Sequence, residues 1–247
     1  MLRMLPALAL VVAYPAAVNA QDLAQRVVAV GNGTVRLSFA ARPGVCGDGM
    51  HNIRTTDRND EWEQDCVPAP VRVALQVQDR RVIGVRSYVG GRWRAAVSAT
   101  DLGTVRAPDA AAYFISLAEQ NEDVSGDALL PATLADSATI WPALLRIARN
   151  SKVPQETRRS AIFWLGQAAG AAASRSLDSI VGDSTGDREV KKQAVFALSQ
   201  RSDNDGVPAL LRIARSNPDP ELRKSALFWL GQSDDPRALA LFEEILR

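Results

Sequence analysis

Ser160–Gln167 reads SAIFWLGQ, and Ser225–Gln232 reads SALFWLGQ. A weaker relative, QAVFALSQ, spans Gln193–Gln200. Anchored on Ala161, Ala194 and Ala226, the three stretches lie 33 and 32 residues apart. A further step of 33 backwards reaches Ala128, in DALLPATLAD. Stepping 16 forward from each anchor meets Leu144, Leu177, Leu210 and Phe242, and stepping 19 forward meets Ile147, Ile180, Ile213 and Ile245. The run PALLRIAR also occurs twice, at Pro142–Arg149 and Pro208–Arg215. A period of this length with two helical segments per unit predicts an α-solenoid.

Each second helix carries a fixed pattern ahead of its alanine. Glu156, Glu189 and Glu221 lie five back, Thr157, Val190 and Leu222 four back, and Arg158, Lys191 and Arg223 three back. Asp219-Pro220 supplies an N-cap acceptor followed by proline in the first turn, and Asp187 holds the equivalent place one unit earlier. The stretches ETRRSAIFWLGQ, EVKKQAVFALSQ and ELRKSALFWLGQ resemble the HEAT repeat, in the short bacterial form called PBS-lyase HEAT-like. The resemblance runs from about Asp109 to Arg247 and implies stacked helix pairs. It implies little about function, because such repeats serve many partners. The lyase name belongs to relatives that attach pigments, and no residue here independently carries that chemistry.

Helical geometry sorts the repeated residues into faces, at 100° per residue. With the anchor alanine at zero, the leucine four later and the apolar residue four earlier define a buried face, and Trp164 and Trp229 fall on its edge, where the middle unit has Ala197. Alternation of large and small residues in stacked neighbours suits packing better than a tryptophan cofactor box. Phe163, Phe196 and Phe228 fall at about 200°, away from that face. Gln167, Gln200 and Gln232 flank them on one side, and Arg159, Lys192 and Lys224 on the other. Three stacked helices then present an apolar ladder with polar edges, which is a candidate surface for a protein or peptide partner. The alternative is that neighbouring helices or the N-terminal region cover the phenylalanines.

Upstream, the pattern is mixed and mainly β. Asp22–Val30 reads as a short helix, Asn32-Gly33 as a turn, and Val35–Ala40 as a strand. Pro70–Val77, PVRVALQV, alternates cleanly, and Val82–Val89 follows after Gln78-Asp79-Arg80-Arg81. Together they predict an antiparallel hairpin, with a further turn at Gly90-Gly91. The chain therefore reads as α+β overall. Residues 1–20 form a signal peptide, 21–104 a small mixed, mainly β domain, and 105–247 a HEAT-like α-solenoid of about four helix pairs plus a terminal helix.

The first twenty residues, MLRMLPALALVVAYPAAVNA, have one basic residue, an apolar run and a small-residue ending. That is the layout of a secretory signal cleaved before Gln21. The run is too short to span a bilayer and is interrupted by Pro15, so no membrane span is expected after cleavage. The expected location is extracytoplasmic, either periplasmic or secreted. In that setting the two cysteines, Cys46 and Cys66, read as a disulfide closing a loop of about 20 residues, contributing ~3 kcal/mol by the chain-entropy argument. His51, the one histidine, lies in that loop, but without CxxC spacing it makes a poor zinc site. The acidic stretch DRNDEWEQD, Asp57–Asp65, lacks the central glycine and ligand spacing of an EF-hand and reads as solvated.

The chain has 29 basic and 28 acidic residues for a formal net charge of +1, a balance that argues against a nucleic-acid partner. It contains no GxSxG, HExxH or phosphate-loop motif, so no catalytic residues, cofactor or metal are expected. The leading expectation is an exported, non-enzymatic protein-interaction scaffold. The alternatives are a lyase-like enzyme or enzyme subunit, and a small-ligand protein using the N-terminal domain around Trp62, His51 and Trp93. The terminal helix, Pro236–Arg247, matches only the first half of a unit, as a cap or as an edge for another copy, and leaves the oligomeric state open.

Overall fold

The structure is a computed structural model describing residues 19–49, 53–55, 68–95, 97–167, 171–201 and 204–246. The proposed leader up to residue 18, the acidic stretch, His51, Trp62 and Cys66 lie outside the described residues.

Helix α1 (Ala20–Ala29) opens the described chain. Asn19 caps it, accepting from the Gln21 and Asp22 backbone N–H groups while Asp22 reaches back in a capping box. Among the described residues six strands follow: β1 (Gly33–Phe39), β2 (Val45–Gly47), β3 (Ile53–Thr55), β4 (Val71–Gln78), β5 (Arg81–Val89) and β6 (Thr100–Thr104). Four form one sheet in the order β5-β4-β1-β6, and β2 pairs with β3 separately. The β4–β5 hairpin is antiparallel, as the alternation predicts. Its two-residue turn places Asp79 and Arg80 at φ 49° and 62°, the left-handed pair of a type I′ turn. Neither is glycine, and the loop before β1 supports the turn: Asp79 N donates to Asn32 Oδ1 at 3.0 Å, and Arg80 N donates to Gly31 O at 2.9 Å.

Val35, Leu37, Phe39, Val71, Val73, Leu75 and Val77 are buried on one sheet face. Helix α3 (Ser125–Leu134) packs against this sheet, and α2 (Ala107–Gln120) packs on α1. The segment after β2 crosses the end of β5 where Gly49 and Gly91 meet so closely that a Cβ on Gly49 would lie 2.5 Å from the Gly91 Cα. Glycine is required there, since both also have left-handed φ.

Among the described residues nine helices follow the sheet. Four antiparallel pairs run α2 (Ala107–Gln120) with α3 (Ser125–Leu134), α4 (Trp141–Arg149) with α5 (Gln155–Gln167), α6 (Ala171–Val181) with α7 (Arg188–Ser199), and α8 (Val207–Ser216) with α9 (Pro220–Leu230). Helix α10 (Pro236–Ile245) packs on α8. The register residues are the core. Ala128, Ala161, Ala194 and Ala226 are buried, as are Leu144, Leu177, Leu210, Ile147, Ile180 and Ile213. The last unit departs from the pattern: Phe242 is only partly buried and Ile245 is 57% exposed.

One hydrophobic core runs unbroken from the sheet through the helices. The junction is also stitched by hydrogen bonds. Arg42 N donates to Leu134 O at 2.8 Å, Asp136 N donates to Ala40 O at 3.0 Å, and Arg42 Nε donates to Thr133 O at 3.0 Å. The sheet thus seals the N-terminal end of the helical stack, which is what a capping element of a solenoid does.

Candidate partner-binding surface

The second helices α3, α5, α7 and α9 lie side by side. Their inner faces bury Thr157, Val190 and Leu222 with Leu165, Leu198 and Leu230. Helices α5 and α7 touch most closely at Gly166 and Ala197, where a Cβ on the glycine would sit 3.0 Å from the alanine Cβ. That contact is the reason the middle unit carries alanine where its neighbours carry Trp164 and Trp229.

The phenylalanines project from the other side to different extents. Phe228 is 58% exposed, Phe163 is 43% exposed, and Phe196 is half-buried. The repeat register explains the order. Phe196 meets the position three after the anchor in the following unit. That position is Trp229, and the rings pack with centroids 5.0 Å apart. The equivalent position for Phe163 holds the small Ala197, and among the described residues no second helix packs on α9 beyond Phe228. Within a helix the aromatic residues also pair edge-on: Phe163 with Trp164 at 5.1 Å, and Phe228 with Trp229 at 4.9 Å. Such pairing favours fixed ring orientations, so these rings are held rather than free.

Gln167, Gln200 and Gln232 are exposed along one border. On the other border Arg159 and Lys224 are exposed, Lys192 is half-buried, Arg159 pairs with Glu156 at 3.4 Å, and Lys192 pairs with Glu189 at 3.2 Å. Exposed pairs of this kind contribute little to stability and leave the charges available to a partner. All nine residues lie on α5, α7 and α9 or immediately after them, and each is at least partly exposed.

Two features beside the ladder were not legible in the sequence. A cavity of about 280 Å³ opens at its first rung, lined by Trp164, Gln167, Trp141, Arg42 and Thr139. It joins the sheet-side loop to the second unit, a contact that no spacing encodes. The other is Arg201, whose side chain is almost wholly buried between units. Its Nε donates to Ser174 Oγ at 3.0 Å and its Nη1 to Gly166 O at 2.9 Å, capping the last turn of α5. Burial lowers the Arg201 pKa, and Asp205 nearby opposes that shift.

The N-caps carry a second repeated network. Asp187 Oδ1 accepts from Glu189 N at 2.8 Å, and Asp219 Oδ1 accepts from Glu221 N at 2.9 Å. Arg188, at the start of α7, donates to Asp219 of the next unit at 3.0 Å. Backbone hydrogen bonds, from Val190 above all for Asp187 and from Glu221 above all for Asp219, hold both carboxyls below their ordinary range.

Residues 183–247 match the family model of HEAT repeats. This segment is a HEAT-like repeat. No curated protein matches the chain. HEAT-like stacks commonly present extended surfaces to protein partners, and the matched segment contains the rungs Phe196 and Phe228.

The other sequence-level candidates fall elsewhere. Among the described residues no three histidine, cysteine, aspartate or glutamate side chains gather as a metal site, and no helix is long and apolar enough to cross a membrane. Cys46 is buried in β2 and no described cysteine is free, but its expected partner Cys66 lies outside the described residues. Of the proposed ligand cluster only Trp93 is described, on the open face of the sheet and far in sequence from the HEAT-like helices.

Proposed function

We propose that this protein is an exported, non-enzymatic scaffold that holds a protein or peptide along α5, α7 and α9. The observation that carries the reading is the row formed by Phe163, Phe196 and Phe228. Two of its rings remain 43% and 58% exposed although a large core was available to bury them. Edge-on tryptophan contacts fix those rings, so little rotamer entropy is lost when a partner covers them. The cavity between Trp164 and Trp141 offers a seat for one apolar anchor of the partner. The glutamines and the basic border supply polar rim contacts. In this reading the sheet region, 21–104, caps the helical region, 105–247, and the two act as one body.

Affinity capture of the mature protein from its own cell envelope tests the reading. The wild type retains a protein partner, while the triple variant F163S/F196S/F228S loses it and keeps its helical circular dichroism. Unchanged capture by the folded triple variant contradicts the reading.

Export and the disulfide belong to the same proposal. The cleavage pattern places the mature start at Gln21, which removes the Asn19 cap and leaves Asp22 in the first turn of α1. Pro68, two residues beyond Cys66, bridges to Cys46 in an isolated antiparallel pair, which supports a Cys46–Cys66 bond. Intact mass of the protein purified from its natural cells checks both points. The expected species begins at Gln21 and is two hydrogens lighter than the dithiol. A chain that retains Met1 or alkylates at both cysteines without reduction contradicts them.

A further inference from the structure

The open face of the four-stranded sheet carries a concentration of arginine that the helical region does not explain. Strand pairing places Asp101, Arg36, Ala74 and Arg86 in one row across β6, β1, β4 and β5. The adjacent row holds Ser38, Arg72 and Tyr88. These residues alternate with the buried valines and leucines, so their side chains stand on the face opposite the core. Arg92, Trp93 and Arg94 border the same face, and with Arg36, Arg72, Ala74, Arg86 and Tyr88 they line a cavity of about 460 Å³ whose described wall holds no carboxylate.

Two of the arginines are positioned by neutral groups. The Arg36 guanidinium lies over the Trp93 ring at 4.8 Å and donates to Arg94 O at 3.3 Å. Arg72 Nε donates to Gly90 O at 3.2 Å and to Gly91 O at 3.0 Å. Arg86, Arg92 and Arg94 are exposed. None of the five forms an ion pair with a described carboxylate, whereas arginines of the helices are repeatedly paired, as Arg146 with Glu119, Arg188 with Asp219 and Arg215 with Glu244. Asp101 is the nearest acid in the row, and its Oδ1 already accepts from Gly103 N at 2.8 Å. In a chain whose total charge is nearly balanced, five arginines around one cavity, two of them held on carbonyls and an aromatic ring, form a site complementary to anions.

We propose that this face binds an acidic segment of a protein partner, through carboxylates spaced along an extended chain. Two strand spacings, roughly 10 Å, separate the Arg36 and Arg86 backbones. That spread suits several carboxylates on one chain, about 7 Å apart at alternate residues, better than one compact oxyanion. The aromatic residues disfavour a nucleic acid: one face of Trp93 is occupied by Arg36, and Tyr88 meets Trp93 edge-on at 6.3 Å, so no pair of open platforms is left for stacking bases. Ala74, with only a methyl side chain, lies between Arg36 and Arg86 in the row.

The test uses the full chain and a labelled short oligoglutamate peptide, followed by fluorescence anisotropy at low and at physiological ionic strength. The peptide binds, and binding weakens at least tenfold in R86Q/R92Q, a pair of exposed residues whose loss leaves the fold intact. The variant F163S/F228S binds the peptide as the wild type does, which separates this face from the phenylalanine ladder. Equal binding by R86Q/R92Q overturns the proposal. So does tighter binding of oligothymidylate or inorganic pyrophosphate than of the peptide. Binding that emerges only after Asp57, Asp60, Glu61, Glu63 and Asp65 are neutralised also overturns it, by assigning the face to the chain's own acidic stretch.

Discussion

Ala197 shapes the surface as much as any phenylalanine does. Its Cβ lies where a side chain on Gly166 would have to go, so α5 and α7 approach closely only because both residues are small. The same smallness leaves Phe163 uncovered, while Trp229 shields Phe196 one unit later. Repeat logic alone would favour tryptophan at position 197, to match Trp164 and Trp229. The packing predicts the opposite. A197W should destabilise the fold by about 1–3 kcal/mol, through overpacking against Gly166. Thermal melting checks this, and a rise in Tm would refute the packing account. The face that each repeated residue occupies was legible from its angle on the helix. The Phe196–Trp229 contact was not, because it depends on how far neighbouring helices are offset, which a single helix's periodicity does not contain.

At the scale of elements, caps and turns explain why the boundaries fall where they do. Asp187 and Asp219 were legible as N-caps from position and from the following Pro220, and both accept backbone hydrogen bonds. Asp235 does the same for α10, and the side-chain hydrogen bond from Arg237 helps hold its pKa down at about 2. Lowered folded-state values mean that the ionised caps stabilise the native state. That contribution is fully present above the unfolded value of about 3.9 and is lost as pH falls through the folded values. The wild type should therefore lose its stability advantage over D187N/D219N as pH drops from about 5 to about 3. Melting temperatures of the two proteins across that range check it, and parallel acid limbs would contradict the assignment. Strands β1, β4 and β5 were legible from alternation of apolar residues. Strands β2, β3 and β6 were not. The first two are three residues each, and β6, TDLGT, has no apolar alternation and is held by parallel pairing with β1.

At the scale of the molecule, the sheet and the helices share one core, and the sheet seals the stack at α2 and α3. The phenylalanine ladder therefore begins beside the sheet and runs to the last complete pair. At the far end, α10 leaves Leu239, Ile245 and Leu246 exposed. The repeat length fixed the helix pairs in advance because each unit must bury its face against the next. The arginine face was hidden because its members come from separate strands, and only the order β5-β4-β1-β6 brings them together. The central claim is that the molecule meets its main partner along the second helices. Hydrogen–deuterium exchange of the captured complex tests that most directly. New protection is expected on α5, α7 and α9 and on the segment 135–141 that leads into α4, with the rest of α4 and all of α6 and α8 unchanged. Protection on the first helices, with none on α5, α7 and α9, would contradict it.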